Sequence, residues 1–267
     1  MMPEAAFKHE EKRIDIRTKD WAIGLIRVMG QFSLFVFNTM KFSLLHKPDV
    51  KEVLKQIFSL GFGCLPIITV VSVFVGSNIA LQGYYAFHNI GAHNLLGIFI
   101  ALAGLREMAP VVAGSMLASK AGSEIASHIA TMRIKEQIDA LEVMAVNPYV
   151  YLVAPRIIAI VLVAPVLTFI ADFLLCGAGY IQSVGQLGLN SGMFMTKFMD
   201  YATLDVFIMS MFKGVVFGVI ITSAACFFGF NATQGAEGVG RATNRAVVVS
   251  AIICVITNYF ISAAYWG

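Results

Sequence analysis

Five apolar stretches, each long enough to cross a bilayer, restrict this chain to a bundle of membrane helices. They cover about residues 62–85, 95–132, 150–180, 206–230 and 246–264. A hydrocarbon core needs about 20 apolar residues of helix, and lipid offers no partner for an open backbone. Composition agrees. Of 267 residues, 58% are hydrophobic and only 13% charged, against about 25% charged in soluble domains. The expected fold is an all-α integral membrane protein. Its second span keeps a helical pattern through residues 95–132, about 57 Å at 1.5 Å per residue, while the bilayer core is only about 30 Å thick. That helix should project into the cytoplasm.

The N-terminal region reads differently. Residues 21–46 are interrupted by Arg27, Gln31, Asn38 and Lys41, which share one helical face. This pattern suits an amphipathic helix lying in the cytoplasmic membrane surface, with a true span as the alternative. Pro48 ends it, and a short amphipathic piece at 49–60 leads into the first span. The chain divides into a cytoplasmic N-terminal segment, 1–60, and a membrane domain, 61–267. Ten of the nineteen Lys and Arg residues precede residue 60, which speaks for a membrane-facing cytoplasmic segment and not for nucleic acid. No secretory signal is expected, because the first twenty residues mix both signs of charge. The loops after spans two and four carry Arg133, Lys135, Arg156, Arg241 and Arg245, whereas those after spans one and three carry only Lys197. The N-terminus is therefore expected inside and the C-terminus outside.

Several chemistries find no support. Cys64, Cys176, Cys226 and Cys254 lie singly in apolar segments and read as structural thiols. The five histidines show no metal-ligand spacing, and no metal or cofactor is expected. There is no P-loop. The "GAEGVG" of the last cytoplasmic loop reads as a flexible turn, and residues 182–204 as a polar, Gly-rich loop. No nucleophile comes with a base and an orienting partner, so an enzyme is not expected.

Three features could carry function. Arg106, Glu107, Asp172 and Lys213 lie within spans, where an ionisable side chain is costly unless paired or hydrated. They form either ion pairs that hold helices together or the polar lining of a substrate cavity. Second, small residues repeat at a spacing of four in the second span: Gly114, Ala118, Gly122, Ala126 and Ala130, beside Ser115, Ser119, Ser123, Ser127 and Thr131. Gly214 and Gly218 repeat the spacing in span four. Such rows allow close backbone approach, with hydroxyls able to bond across the contact. Third, a short helix at 134–146 sits between spans two and three. Ile138, Leu141 and Ala145 line one face, and Lys135, Asp139 and Glu142 another, with Glu136 beside them; Asn147-Pro148 stops it. It is either a solvated hairpin tip or a helix presented to a cytoplasmic partner.

The run "LREMAPVVAGSMLASKAGSEIASHIATMRIKEQIDALEVMAVNPYVYLVAPR", followed by "GVGRATNRAVVVS", resembles the MlaE (YrbE) family of permeases. The similarity is dense over 105–156 and looser from 61 to the C-terminus. The resemblance implies a homodimeric inner-membrane subunit of an ABC transporter, paired with a separate cytoplasmic ATPase and a periplasmic MCE-domain protein, that moves phospholipid or related lipids. It places the ATPase-coupling helix at 134–146 and the family's polar residues at Arg106, Glu107 and Lys213. Asp172 has no counterpart in that pattern. Two readings outside the family are an ion-coupled secondary transporter, for which no inverted repeat is evident, and a non-transporting scaffold.

Overall fold

The computed structural model describes Gly30, Phe32, Phe35 and residues 49–88 and 91–267. Among these residues there is no strand, and five helices are long and apolar enough to cross a membrane. They are α1 (Val50–His88), α2 (His93–Ile134), α4 (Tyr149–Gln186), α6 (Leu204–Phe230) and α7 (Ala236–Trp266). Two short helices complete the set, α3 (Gln137–Val143) between α2 and α4, and α5 (Ser191–Met199) between α4 and α6. The interfacial helix expected over residues 21–46 lies outside the described residues except for Gly30, Phe32 and Phe35, which are helical. Phe32 and Phe35 stack edge-on against Phe227, with centroids 5.5 and 5.7 Å away.

Three expected boundaries differ. The amphipathic piece at 49–60 and the first span are one helix, because the apolar face including Val53, Leu60, Cys64 and Ile68 stays buried across the junction. The expected loop over 182–204 contains α5. Asn190 caps it, its side-chain oxygen accepting from the Met193 amide at 3.0 Å. Phe194 then buries against a small core of Ala80, Leu96 and Ile100. Gly97 makes this possible, since a Cβ there would lie 2.6 Å from the Phe194 carbonyl oxygen. The "GAEGVG" stretch is likewise no flexible turn. Gly235 turns the chain at φ 89°, and the helix starts at Ala236. Gly238 packs so tightly that a Cβ would meet the Thr233 carbonyl oxygen at 1.8 Å.

Apolar side chains gain little by leaving lipid for one another, so close packing must hold the bundle. The glycines show where. A Cβ on Gly214 would stand 2.2 Å from Thr168 Oγ1 and one on Gly218 3.0 Å from the Ala164 Cβ, which bring α6 against α4. Gly114 and Gly122 receive Phe217 and Ile221 of α6, with Cβ approaches of 2.7 and 3.0 Å, and Ala118 is buried between them. The hydroxyl row does something else. Ser115, Ser127 and Thr131 donate to Val111, Glu124 and Ser127 carbonyls of their own helix, at 2.7, 3.1 and 2.8 Å. A hydroxyl that can reach back one turn satisfies itself locally, so those three bonds do not cross between helices.

Candidate functional site

The polar site starts from a proline. Arg106 and Glu107 end a wide, π-helical stretch, Ile100–Met108, and Pro110 follows. Proline has no N–H to give the carbonyl four residues back, so the Arg106 carbonyl lacks its usual α-helical donor. Lys213 of α6 fills the gap, its Nζ donating to that oxygen at 2.9 Å. The same ammonium donates to Glu107 Oε2 at 3.3 Å and to Ser262 Oγ of α7 at 2.7 Å. Glu107 also accepts from Asn258 Nδ2 at 2.9 Å and from Ser262 Oγ at 2.8 Å. Arg106 completes the group, with Nε 3.7 Å from Glu107 Oε1 and the guanidinium carbon 3.9 Å above the Trp266 ring.

Two cations thus surround one carboxylate. Lys213 is 1% exposed, while the Arg106 and Glu107 side chains keep 25% and 32% of their surface. The cluster is anchored from inside and open on one flank. It also holds two buried polar atoms, Asn258 Oδ1 and Trp266 Nε1, that lack a partner among the described residues. A void of about 10 Å³ lined by Val111, Gly114, Ser115, Phe217 and Cys254 lies one turn along α2. That is room for about one water. Any larger ligand must approach from the open flank.

Asp172 stands apart. It is fully buried, and its Oδ1 accepts from Ser210 Oγ at 2.9 Å, while Oδ2 has no partner among the described residues. No ion pair joins it to Arg106 or Lys213 among the described residues, so three of the four expected charges converge and the fourth does not. Sequence reading missed Asn258, Ser262 and Trp266. Their signal is present as a spacing of four along one face of α7.

At the other end of α2 the chain turns sharply. Glu136 sits in the left-handed region at φ 55°, which places Lys135 and Glu136 in a turn and shortens the expected helix to Gln137–Val143. Ile138 is buried and Leu141 packs on the same core, pinning α3 to the bundle. Asp139 pairs with Arg133. Lys135, Glu136, Asp139 and Glu142 are all exposed, as are Val143 and Met144.

Five spanning helices, three of which build a half-open charged cluster, define a polytopic membrane protein with a polar site between its helices. The sequence matches the Permease MlaE family over residues 53–264. The chain belongs to this family of membrane permeases. A probable ABC transporter permease protein of Rickettsia prowazekii is 37% identical over 240 residues, covering 89% of this chain and 92% of the relative. One from Synechocystis is 36% identical over 213 residues, 79% and 81% of the two chains. The intermembrane phospholipid transport system permease protein MlaE of Haemophilus influenzae is 31% identical over 250 residues, 92% and 94% of the two.

Proposed function

We propose that this permease is the membrane subunit of an ABC transporter that moves phospholipid, with Arg106, Glu107 and Lys213 handling the headgroup. The observation that carries this reading is the half-open cluster itself. It has one more cation than anion, and its two unpartnered polar atoms lie on the α7 side. A phosphodiester would balance the surplus charge, and partly dehydrated cations bind phosphate oxygens strongly. The relative named as a phospholipid transport permease supports the same substrate class, and the one named as an ABC transporter permease supports the transporter class.

In this reading the permease is a homodimer in the inner membrane, its N-terminus cytoplasmic and its C-terminus periplasmic. An ATPase subunit docks on α3, where the buried Ile138 anchors the helix to the core and the exposed Glu142, Val143 and Met144 offer a mixed acidic and apolar surface. An MCE-domain protein receives lipid on the periplasmic side. The test is purification of the complex from its native membrane, followed by transfer of labelled phospholipid between vesicles with and without ATP. ATP-dependent transfer with a co-purified ATPase supports the proposal. Transport driven by an ion gradient, or a complex without ATPase or lipid, overturns it.

A further inference from the structure

At the α3 end of the bundle, a second polar cleft of about 210 Å³ opens between α1, α2 and α4. That is room for a cluster of waters or a headgroup-sized ligand. Its floor is Arg156, only 5% exposed. The guanidinium donates to the Leu152 carbonyl and meets His128 Nδ1 at 3.1 Å, and no carboxylate lies within ion-pair distance among the described residues. A buried cation without a counter-charge is expensive.

The nearby acids are engaged elsewhere. Glu124 takes Ser59 Oγ at 2.9 Å on one oxygen and Lys120 Nζ at 3.1 Å on the other. Glu52 accepts from Gln56 at 2.8 Å. Lys55, exposed on the rim, has no ion pair among the described residues. With His128 neutral, the cleft's lining carries two cations, Lys55 and Arg156, and two anions, Glu52 and Glu124; Lys120, outside the lining, pairs with Glu124 and so leaves one positive charge in excess. A singly charged anion neutralises that surplus, while a doubly charged one overshoots it beside Glu52.

The cleft also has an apolar neighbour. Leu54, Phe58 and Phe62 are 59%, 65% and 61% exposed, and the Phe58 and Phe62 rings lie 4.5 Å apart. At a spacing of four they form a stripe flanking the Lys55 side of the cleft. From Glu107 to His128 is 21 residues along α2, about 32 Å at 1.5 Å per residue, or one hydrocarbon thickness. The cleft and the Glu107 cluster therefore lie about one hydrocarbon thickness apart, with the cleft at the α3 end.

We infer that this cleft binds a phosphodiester headgroup, with Arg156 and Lys55 on the phosphate oxygens and the acyl chains along Leu54, Phe58 and Phe62. It is a phospholipid site on the leaflet next to α3, separate from the Glu107 cluster. Inorganic phosphate shares the chemistry but lacks chains to use the stripe.

The test reads occupancy at the cleft, independent of transport. The full chain in phosphatidylcholine nanodiscs is photolabelled with a phosphatidylethanolamine bearing a diazirine on its headgroup, and the adducts are mapped by peptide mass spectrometry. Adducts are expected on the peptides containing residues 52–59 and 124–128. Loss of one charge-assisted bond should lower them about tenfold in Arg156→Gln and in Lys55→Gln. Lys55 is exposed, so its variant folds even if the buried Arg156 variant does not. Labelling should rise with the probe's mole fraction and saturate, and millimolar inorganic phosphate should not lower it. Unchanged labelling in Lys55→Gln, or no adducts at these peptides, overturns the site; competition by phosphate alone assigns it to a free anion and overturns the lipid. Labelling here with failed ATP-driven transfer would instead count against the transport reading alone.

Discussion

Replacing Lys213 by Met should destabilise the membrane domain by about 3 kcal/mol. The ammonium makes three interhelical hydrogen bonds, at 2.7, 2.9 and 3.3 Å, and is fully enclosed. Such bonds in membrane proteins average about 0.6 and reach about 1.7 kcal/mol. These three involve a charged donor, which puts them toward the upper figure, and packing by the Met side chain returns part of the loss. The Arg106 carbonyl then loses its Lys213 donor, which Pro110 cannot replace. Glu107 retains Asn258, Ser262 and Arg106, so the double variant with Glu107→Gln should fall short of the summed single losses by about 1–2 kcal/mol. Reversible unfolding in mixed micelles, followed by tryptophan fluorescence, supplies the four corners of the cycle. A loss under about 1 kcal/mol for Lys213→Met, or additivity within about 0.5 kcal/mol, would refute the bonding scheme.

Other expectations follow from the same geometry. Gly214→Ala should cost about 2 kcal/mol or more, because its Cβ would meet Thr168 Oγ1 at 2.2 Å, and should exceed Gly218→Ala, whose contact is 3.0 Å; the same unfolding assay ranks them. Asp172→Asn keeps the shape and the acceptor for Ser210, so its unfolding free energy should stay within about 1 kcal/mol of the parent. A large loss would mean that the carboxylate has a cationic partner. Glu142→Lys changes an exposed side chain of α3 and should leave insertion intact while lowering ATPase co-purification at least tenfold; Asp139 is the poorer target, since reversing it also breaks its pair with Arg133.

Much of this architecture is legible in the sequence because lipid imposes so few solutions. Span number and the overlong second helix followed from apolar length alone. Helix α5 did not, since Phe194 is one apolar residue among polar and small ones and shows its role only when Gly97 is brought beneath it. In the site, the charged residues were visible as exceptions to an apolar background. Their partners were not. Asn258 and Ser262 carry no charge and look ordinary in a helix end, and the Arg106 carbonyl belongs to the backbone. Asp172 was grouped with the other charges by depth, but its side chain meets Ser210, a turn away from Lys213 on α6. The hydroxyl row misled for a related reason: spacing tells which face a serine occupies, not whether its proton turns back to its own helix.

The most direct measurement is ATP-driven transfer of phospholipid by complexes carrying the paired Glu107→Gln and Lys213→Met substitutions. The pair removes one charge of each sign, so assembly should survive while the cluster loses its carboxylate and its buried ammonium. If the cluster handles the headgroup, the assembled complex should still hydrolyse ATP and transfer lipid at least tenfold more slowly, the effect of about 1.4 kcal/mol at the limiting step. Transfer at the unaltered rate would contradict the account and leave Arg106, Glu107 and Lys213 as a structural clasp between α2, α6 and α7.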